Sequence, residues 1–511
     1  MEGLLFTSLL TSAVLICGVV LHFLSSRFDP REPTKVSSTI PLLGHLIGLL
    51  RHGGAYYSKI SATHALDIYT LQIFSSKIYV VNSLELITAI GRKPKAISFI
   101  PYVKVAAQRL SGLGRGALKQ FDDSDQRPGL STESVRSLEH ALGSVAGAEE
   151  VSKSMLRCLE GLLEEPRSTP DQPRKLLVWL QHVVTRSSST AVYGPLNPIL
   201  DPDVEEDFWT FEHNMGILLI GSLPNFFKRK VVGARDRVAR AYEKYYRKQG
   251  LDKGSIVARA RHDPPAKYGL TVEEISKLEV TFLIALLNNT VATAFWTTYH
   301  IFSSPELLSE LRSELLNATT SNNHTSTKIF TTDIAQIKKN CPLLLSAYQE
   351  VLRFYTIRPI TRKIVSDVVI NDRYFLEKGA TIQMSTRSLH ENIAIWGPNA
   401  HQADFHRFMR KDRKKPPALA FGSFGSVPSI CPGRQLATMQ ILAMVALMVM
   451  RYNVEPAAGK WEGMEQDQKS FATVTKPIGD VEVVIKERDG WQGEWGFDLG
   501  EPGIKFALAS G

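Results

Sequence analysis

Apolar positions along this 511-residue chain recur mostly at the three-to-four-residue spacing that puts one face of a helix against a core. Ser131 to Glu165 has that periodicity and is built from good helix formers, and so is Ala234 to Gln249. Ile275 to Phe302 reads as a long, mostly apolar helix. Ser303-Ser-Pro-Glu306 then starts another, with Ser303 as the cap, Pro305 in the first turn and Glu306 at the capping-box position. Cys341 to Tyr355 and the apolar Gln435 to Met450 are further helices. Ile68 to Asn82 alternates like two short strands around a turn at Ser75 and Ser76. Lys363 to Ile370 and Thr381 to Ser385 are strand-like, and the Ser/Thr/Asn-rich Asn317 to Thr327 reads as a loop. No internal repeat and no linker divides the body, so the pattern predicts one large, mainly α domain with a minor β portion.

The N-terminus stands apart. Leu4 to Leu24 carries no Asp, Glu, Lys or Arg, about the ~20 apolar residues that cross a bilayer. Glu2 precedes it, and Arg27, Arg31 and Lys35 follow, which puts the body on the cytoplasmic side. A cleaved signal peptide is the alternative, but the stretch lacks a positive n-region and is long for an h-region. The prolines of FDPREPTKVSSTIPLLGH hold the next segment extended. The expected organisation is a membrane anchor over 1–26, a proline-containing hinge over 27–45 and a single body over 46–511.

Composition changes this picture little. Apolar residues make up 44% and charged residues 22%, as in an ordinary globular protein. The net charge of +9 is mildly basic, and no aromatic-interleaved basic tract suggests nucleic acid. The four cysteines, Cys17, Cys158, Cys341 and Cys431, form no CxxC or Cys/His pair with zinc spacing. Scattered over so long a chain, they do not make a secreted disulfide framework.

One of them has a distinctive setting. Cys431 lies in FGSFGSVPSICPGRQLA at the start of the helix from Gln435. Gly433 permits a close turn there, and backbone N–H groups at a helix N-terminus favour a charged sulfur. A buried structural cysteine is the alternative. Glu350-Val-Leu-Arg353 places a carboxylate and a guanidinium on one helix face within the apolar stretch LLLSAYQEVLRFY. Arg407, in ADFHRF, offers a second cation. Thr281 to Ser304 carries no charged residue except by protonation of His300, and reads as a second transmembrane helix but for Asn288, Asn289, Thr290 and His300, which are costly in lipid.

Taken in order, the anchor, proline hinge, long apolar helix, Glu-x-x-Arg, later Arg-Phe and Phe-Gly…Cys-Pro-Gly loop resemble a cytochrome P450. The branch resembled contains sterol 7α/12α-hydroxylases, prostacyclin synthase and filamentous-fungal relatives. The resemblance implies haem b with Cys431 as axial thiolate, Phe424 and Gly433 beside the cofactor, and Arg362 on a haem propionate, with Arg358 as an adjacent competitor. It implies that Glu350, Arg353 and Arg407 form a structural triad behind the haem. It aligns Asn289 and Thr290 with the family's acid–alcohol pair, in which Thr290 would relay a proton. Asn289 cannot act as an acid near neutral pH, though it could order a water.

The implied reaction is monooxygenation of a lipophilic small molecule of terpenoid, steroid or polyketide-like kind in secondary metabolism, with electrons from NADPH through cytochrome P450 reductase. The alternatives are a haem-thiolate isomerase acting on a peroxide-like substrate and a non-catalytic, membrane-anchored haem-binding protein. Substrate contacts are expected in Val103 to Leu113, Leu286 to Thr293, Ile357 to Ile360 and Thr473 to Thr475. The basic stretch Arg410 to Lys415 could meet an acidic reductase, and Phe226-Phe-Lys-Arg-Lys230 a bilayer. The sequence departs from the family at Val427, where Gly is usual, and at Ser429, where His or Arg is usual. It also has no Trp-x-x-x-Arg between Ser131 and Glu165.

Overall fold

The computed structural model of the chain describes residues 28–38, 40, 43–124, 126–219, 224–322, 328–409, 415–468 and 472–510. The expected anchor and all of the basic stretch except Lys415 lie outside the described residues. Within them the chain is mainly helical, with small sheets.

In chain order, the elements that position the site begin with strands β1 (Ile68–Ile73) and β2 (Ser76–Val81). They pair antiparallel about Phe74-Ser75. Phe74 takes a left-handed backbone at φ 49°, so the turn falls one residue before the predicted serine pair. Next come β3 (Ile97–Ser98), α1 (Leu130–Gly143), α2 (Val145–Leu162), α3 (Leu176–Tyr193), α4 (Asn225–Arg247), α5 (Val272–Ser303) and α6 (Pro305–Leu315). Strands β4 (Thr319–Asn322) and β5 (Ile329–Asp333) precede α7 (Pro342–Tyr355). They are followed by β6 (Ile360–Ile364), β7 (Thr381–Met384), β8 (Gly425–Ser426), β9 (Ser429–Ile430), α8 (Arg434–Arg451) and β10 (Glu494–Asp498). The largest sheet has the order β1-β2-β7-β6-β3. In it β7 runs parallel to β2 and antiparallel to β6, which aligns Arg362 with Ile382.

Several expectations are corrected. The helical pattern from Ser131 to Glu165 is two helices, because Ser144 leaves the helix and caps α2 by accepting from Gly147 N–H at 3.2 Å. Helix α4 starts before Ala234, at Asn225. It is an amphipathic helix whose Val231, Ala234, Val238, Tyr242 and Tyr245 are buried at three- and four-residue steps. The cap of α6 is Ser304, not Ser303: Ser304 Oγ accepts from Leu307 N–H at 3.3 Å. The residue before a proline is disfavoured in the helical region. Ser304, at φ −119° and ψ 103°, therefore has to be the junction, and Ser303 stays in α5. The capping box lies instead at the head of α5. There Thr271 Oγ1 accepts from Glu274 N–H, and Glu274 Oε2 accepts from Thr271 N–H at 2.9 Å. Part of the expected 317–327 loop is strand. β-Branched Thr319 and Thr320 pair with β5, which β10 flanks in parallel on its other edge.

Helix α5 is 32 residues long, about 48 Å at 1.5 Å per residue. It is long and apolar enough to cross a membrane, yet 67% of its most apolar window is buried inside the protein. Leu283, Leu287, Val291, Ala294, Phe295 and Trp296 are fully enclosed. Its apolarity is explained by a central position against α3, α4, α7 and α8. Helix α8 is the second core helix, buried continuously from Thr438 to Arg451.

Candidate active site

The Cys431 loop is a two-residue antiparallel hairpin, β8 against β9, with Val427 and the cis-linked Pro428 at its tip. Cys431 N–H donates to Phe424 O at 2.8 Å and closes the hairpin next to the head of α8. The left-handed residue that the turn needs is Gly425, at φ 90°. Gly433 has φ −82°, open to any residue, so its expected role in bending the chain is not what it does. A Cβ there would lie 4.0 Å from Cys431 Sγ, so its lack of a side chain leaves that flank of the sulfur clear. Burial pushes the Cys431 thiol up, while the backbone N–H groups of Gly433 and Arg434 and the Arg434 guanidinium favour the thiolate. Yet the cysteine itself is exposed.

One stripe of α5 has the same character. Ala285 is exposed and Leu286 and Asn289 are half-buried, among the buried Leu283, Leu287, Asn288 and Thr290. Thr290 Oγ1 donates to Leu286 O at 3.1 Å. Asn289 Oδ1 accepts from Thr473 N–H at 2.8 Å and Val474 N–H at 3.2 Å. These two neighbours in sequence therefore do different things: the threonine hydroxyl is held on its own helix, and the asparagine reaches across to another segment.

Glu350, Arg353 and Arg407 meet as a buried cluster. Arg353 donates to the Glu350 carboxylate from Nε at 2.8 Å and from Nη2 at 2.7 Å. Arg407 Nε lies 3.1 and 3.0 Å from the two oxygens. The remaining guanidinium N–H groups are taken by backbone carbonyls of His390, Trp396, Asn399, Ala400 and Gln402 and by the Asn399 side chain. Charges removed from water need this degree of satisfaction. The cluster pins α7 to the 390–407 segment.

Arg362, on β6, is buried and donates to Thr361 O at 2.9 Å and Ser426 O at 3.0 Å, with the Phe99 ring 5.7 Å away. It makes no ion pair among the described residues. Burial lowers its pKa to about 10. A buried cation without an anion is the residue an acidic ligand would complete. Its neighbour Arg358 is also lowered by burial, but the charge of Asp467 acts on it. The solvent-reachable sulfur, the open stripe of α5 and this guanidinium fit a planar cofactor with a metal centre and carboxylate tails.

Other contacts tie the loop down that the sequence did not mark. Gly422 N–H donates to His390 Nε2 at 3.1 Å, and Ser423 Oγ donates to Leu352 O at 3.1 Å. No local motif surrounds His390, so only the fold reveals it. Val427 sits 45% exposed at the hairpin tip, and Ser429 pairs with Ser426 across it. Neither brings a cation to the site.

The sequence model described as "Cytochrome P450" matches residues 34–479. The chain belongs to the cytochrome P450 family. It is 32% identical to "Cytochrome P450 monooxygenase nodJ" of Hypoxylon pulicicidum, over 94% of this chain and 95% of that one. A "Cytochrome P450 monooxygenase" of Gibberella zeae is 25% identical over 98% and 99% of the two chains. Mouse "Cytochrome P450 7B1" is 22% identical over 94% and 96%. Among solved structures, the haem domain of cytochrome P450DA superposes with a TM-score of 0.67 at 17% identity, covering 89% of this chain and 97% of that one, a likeness of fold. As a P450 the chain is a haem-thiolate oxidoreductase of the monooxygenase kind.

Proposed function

We propose that this P450 is an endoplasmic reticulum monooxygenase that oxidises a lipophilic small molecule of terpenoid, steroid or polyketide-like kind in secondary metabolism. Electrons come from NADPH through cytochrome P450 reductase. Residues 1–26 anchor the protein, 27–45 form the hinge and 46–511 work on the cytoplasmic side. The observation that carries this reading is the exposed Cys431 at the head of α8, where the N–H groups of Gly433 and Arg434 favour its thiolate.

Haem b, when bound, supplies the oxygen activation. The protein's own residues do the rest. Cys431 would hold the haem iron through its sulfur, whose charged form is favoured by the Gly433 and Arg434 amides. Phe424 and Gly433 flank the cofactor in the same loop. Arg362 holds a propionate by a charge-assisted contact. Glu350, Arg353 and Arg407 fix the frame behind the cofactor. Thr290 moves a proton at Oγ1, for which its hydroxyl turns away from Leu286 O. Leu286, half-buried on the open stripe of α5, gives the pocket an apolar wall suited to a lipophilic substrate.

A second reading is isomerisation of a peroxide-like substrate. One observation favours it: the position usually held by an acid is Asn289, whose carbonyl oxygen already accepts two backbone N–H groups. Purified protein with reductase, NADPH, oxygen and a lipophilic metabolite extract separates the two. Product that requires reductase and oxygen supports monooxygenation; turnover without either supports isomerisation.

A further inference from the structure

We propose that Asn289 is a positioning residue that fixes the Thr473–Thr475 segment against α5, and so sets the shape of the pocket, rather than a member of a proton relay. The proposal rests on the reading of this pocket as the substrate and haem site.

Asn289 is one of several holds on this segment: side chains, the last residue of α7 and the chain just after it satisfy its backbone groups, and the Thr475 hydroxyl contacts Tyr355 O at 3.2 Å and Gln466 Oε1 at 3.0 Å. Thr473 N–H and Val474 N–H both go to Asn289 Oδ1. Thr473 O accepts from Ile357 N–H at 3.3 Å, and Thr475 N–H donates to Tyr355 O at 2.9 Å. Thr475 O accepts from Trp296 Nε1 at 2.7 Å. A single bridge, Thr356 with Val474, is the only β-type pairing it makes among the described residues. Two residues of α5, Asn289 and Trp296, thus hold the segment from one side. They are seven apart, two helical turns, and so share one face. Val474 and Thr475 are buried, whereas Thr473 is half-buried, like Asn289 itself.

The chemistry suits an amide. One carbonyl oxygen has two lone pairs and can accept both N–H groups without bringing a charge into an apolar wall. A shorter side chain would leave two N–H groups unpaired beside the pocket, and the segment would move to find partners. Because Thr473 and Asn289 both border the open stripe of α5, that movement changes which bulky ligands fit. It leaves a small ligand at the metal undisturbed.

The test compares wild type, Asn289→Ala and Asn289→Asp in the haem-loaded full-length protein. Two probes are titrated by their Soret shift: imidazole, which needs only the metal, and clotrimazole, which needs the pocket wall. Asn289→Ala should weaken clotrimazole roughly ten-fold, the loss of about one hydrogen bond's worth of order, and change imidazole less than about two-fold. Asn289→Asp keeps an acceptor for both N–H groups, so the Thr473 and Val474 amides should stay protected from exchange in that variant. Hydrogen exchange needs no variant to fold: in wild type the Thr473 and Val474 amides should be protected, and in Asn289→Ala they should exchange faster. Unprotected amides in wild type overturn the proposal. So does an unchanged clotrimazole affinity in Asn289→Ala accompanied by an altered solvent isotope effect on oxygen consumption, the signature of a relay. If neither probe shifts the wild-type spectrum, the haem reading fails, while the exchange data still decide the contact itself.

Discussion

Arg407 Nε lies 3.1 and 3.0 Å from the two oxygens of Glu350, so the carboxylate that pairs with Arg353 also answers a second buried guanidinium. Removing the acid leaves two enclosed cations facing each other. Breaking a buried pair in this way costs about 3–5 kcal/mol. Glu350→Ala and Glu350→Gln should both lower the unfolding free energy of the purified protein by that order, read as a lower urea midpoint. Arg407→Ala should do the same, because it strips one partner from an enclosed carboxylate. A midpoint within error of wild type would show that the cluster does not hold the 390–407 segment in place.

Arg362 should govern cofactor retention more than stability. Its guanidinium has backbone carbonyl partners but no carboxylate among the described residues. Losing a charge-assisted hydrogen bond costs about 1.5–3 kcal/mol, so Arg362→Ala should release haem to apomyoglobin roughly ten- to a hundred-fold more readily. Arg362→Lys keeps the charge without the planar fork and should fall between the two. Equal transfer rates for all three would remove Arg362 from the site.

The cysteines differ in accessibility in a way alkylation can read. Cys341 is fully buried, with its thiol pushed up to about 12 by burial and by the charge of Glu314. Cys431 is exposed. In haem-free protein, iodoacetamide should modify Cys431 and spare Cys341, and haem loading should protect Cys431. Peptide mass spectrometry checks this. Modification of Cys431 at the same rate with and without haem would contradict its place beside the cofactor.

Two buried histidines make the fold acid-sensitive. Burial lowers His300 to about 4, and burial together with the Arg353 charge lowers His390 to about 3, against an ordinary 6.5. Both pKa values are depressed, so the unfolded chain takes up protons that the folded chain refuses. Their effect is absent above pH 6.5. Below it, each group removes up to ~1.4 kcal/mol per pH unit until its folded pKa is reached. Urea midpoints should therefore fall between pH 6.5 and 4, and His300→Gln should remove about half of the histidine share of that slope. An unchanged slope in the variant would rule His300 out as a contributor.

Much of this was legible in the sequence because it is local. Periodicity located α5, α7 and α8, and the spacing of Glu350 and Arg353 placed both on one helix face. The failures have physical causes. Ser303 and Ser304 are both good caps, and only the constraint imposed by Pro305 decides between them. The Thr319–Asn322 strand pairs with nearby 329–333, but that strand is flanked in turn by 494–498, which is too far along the chain for a local pattern to reveal. Gly433 drew attention because it follows the cysteine, whereas the left-handed turn sits at Gly425. Asn289 was read from its alignment with an acid. Its hydrogen bonds to Thr473 and Val474, 184 and 185 residues away, exist only once the chain has folded.

The assignment of Cys431 is tested most directly by the carbon monoxide difference spectrum of the reduced, haem-loaded protein, wild type beside Cys431→His. Wild type should give the red-shifted Soret band of a thiolate-ligated haem, and Cys431→His should lose it while still binding haem. A wild-type spectrum without that band, or an unchanged band in Cys431→His, would contradict Cys431 as the axial ligand.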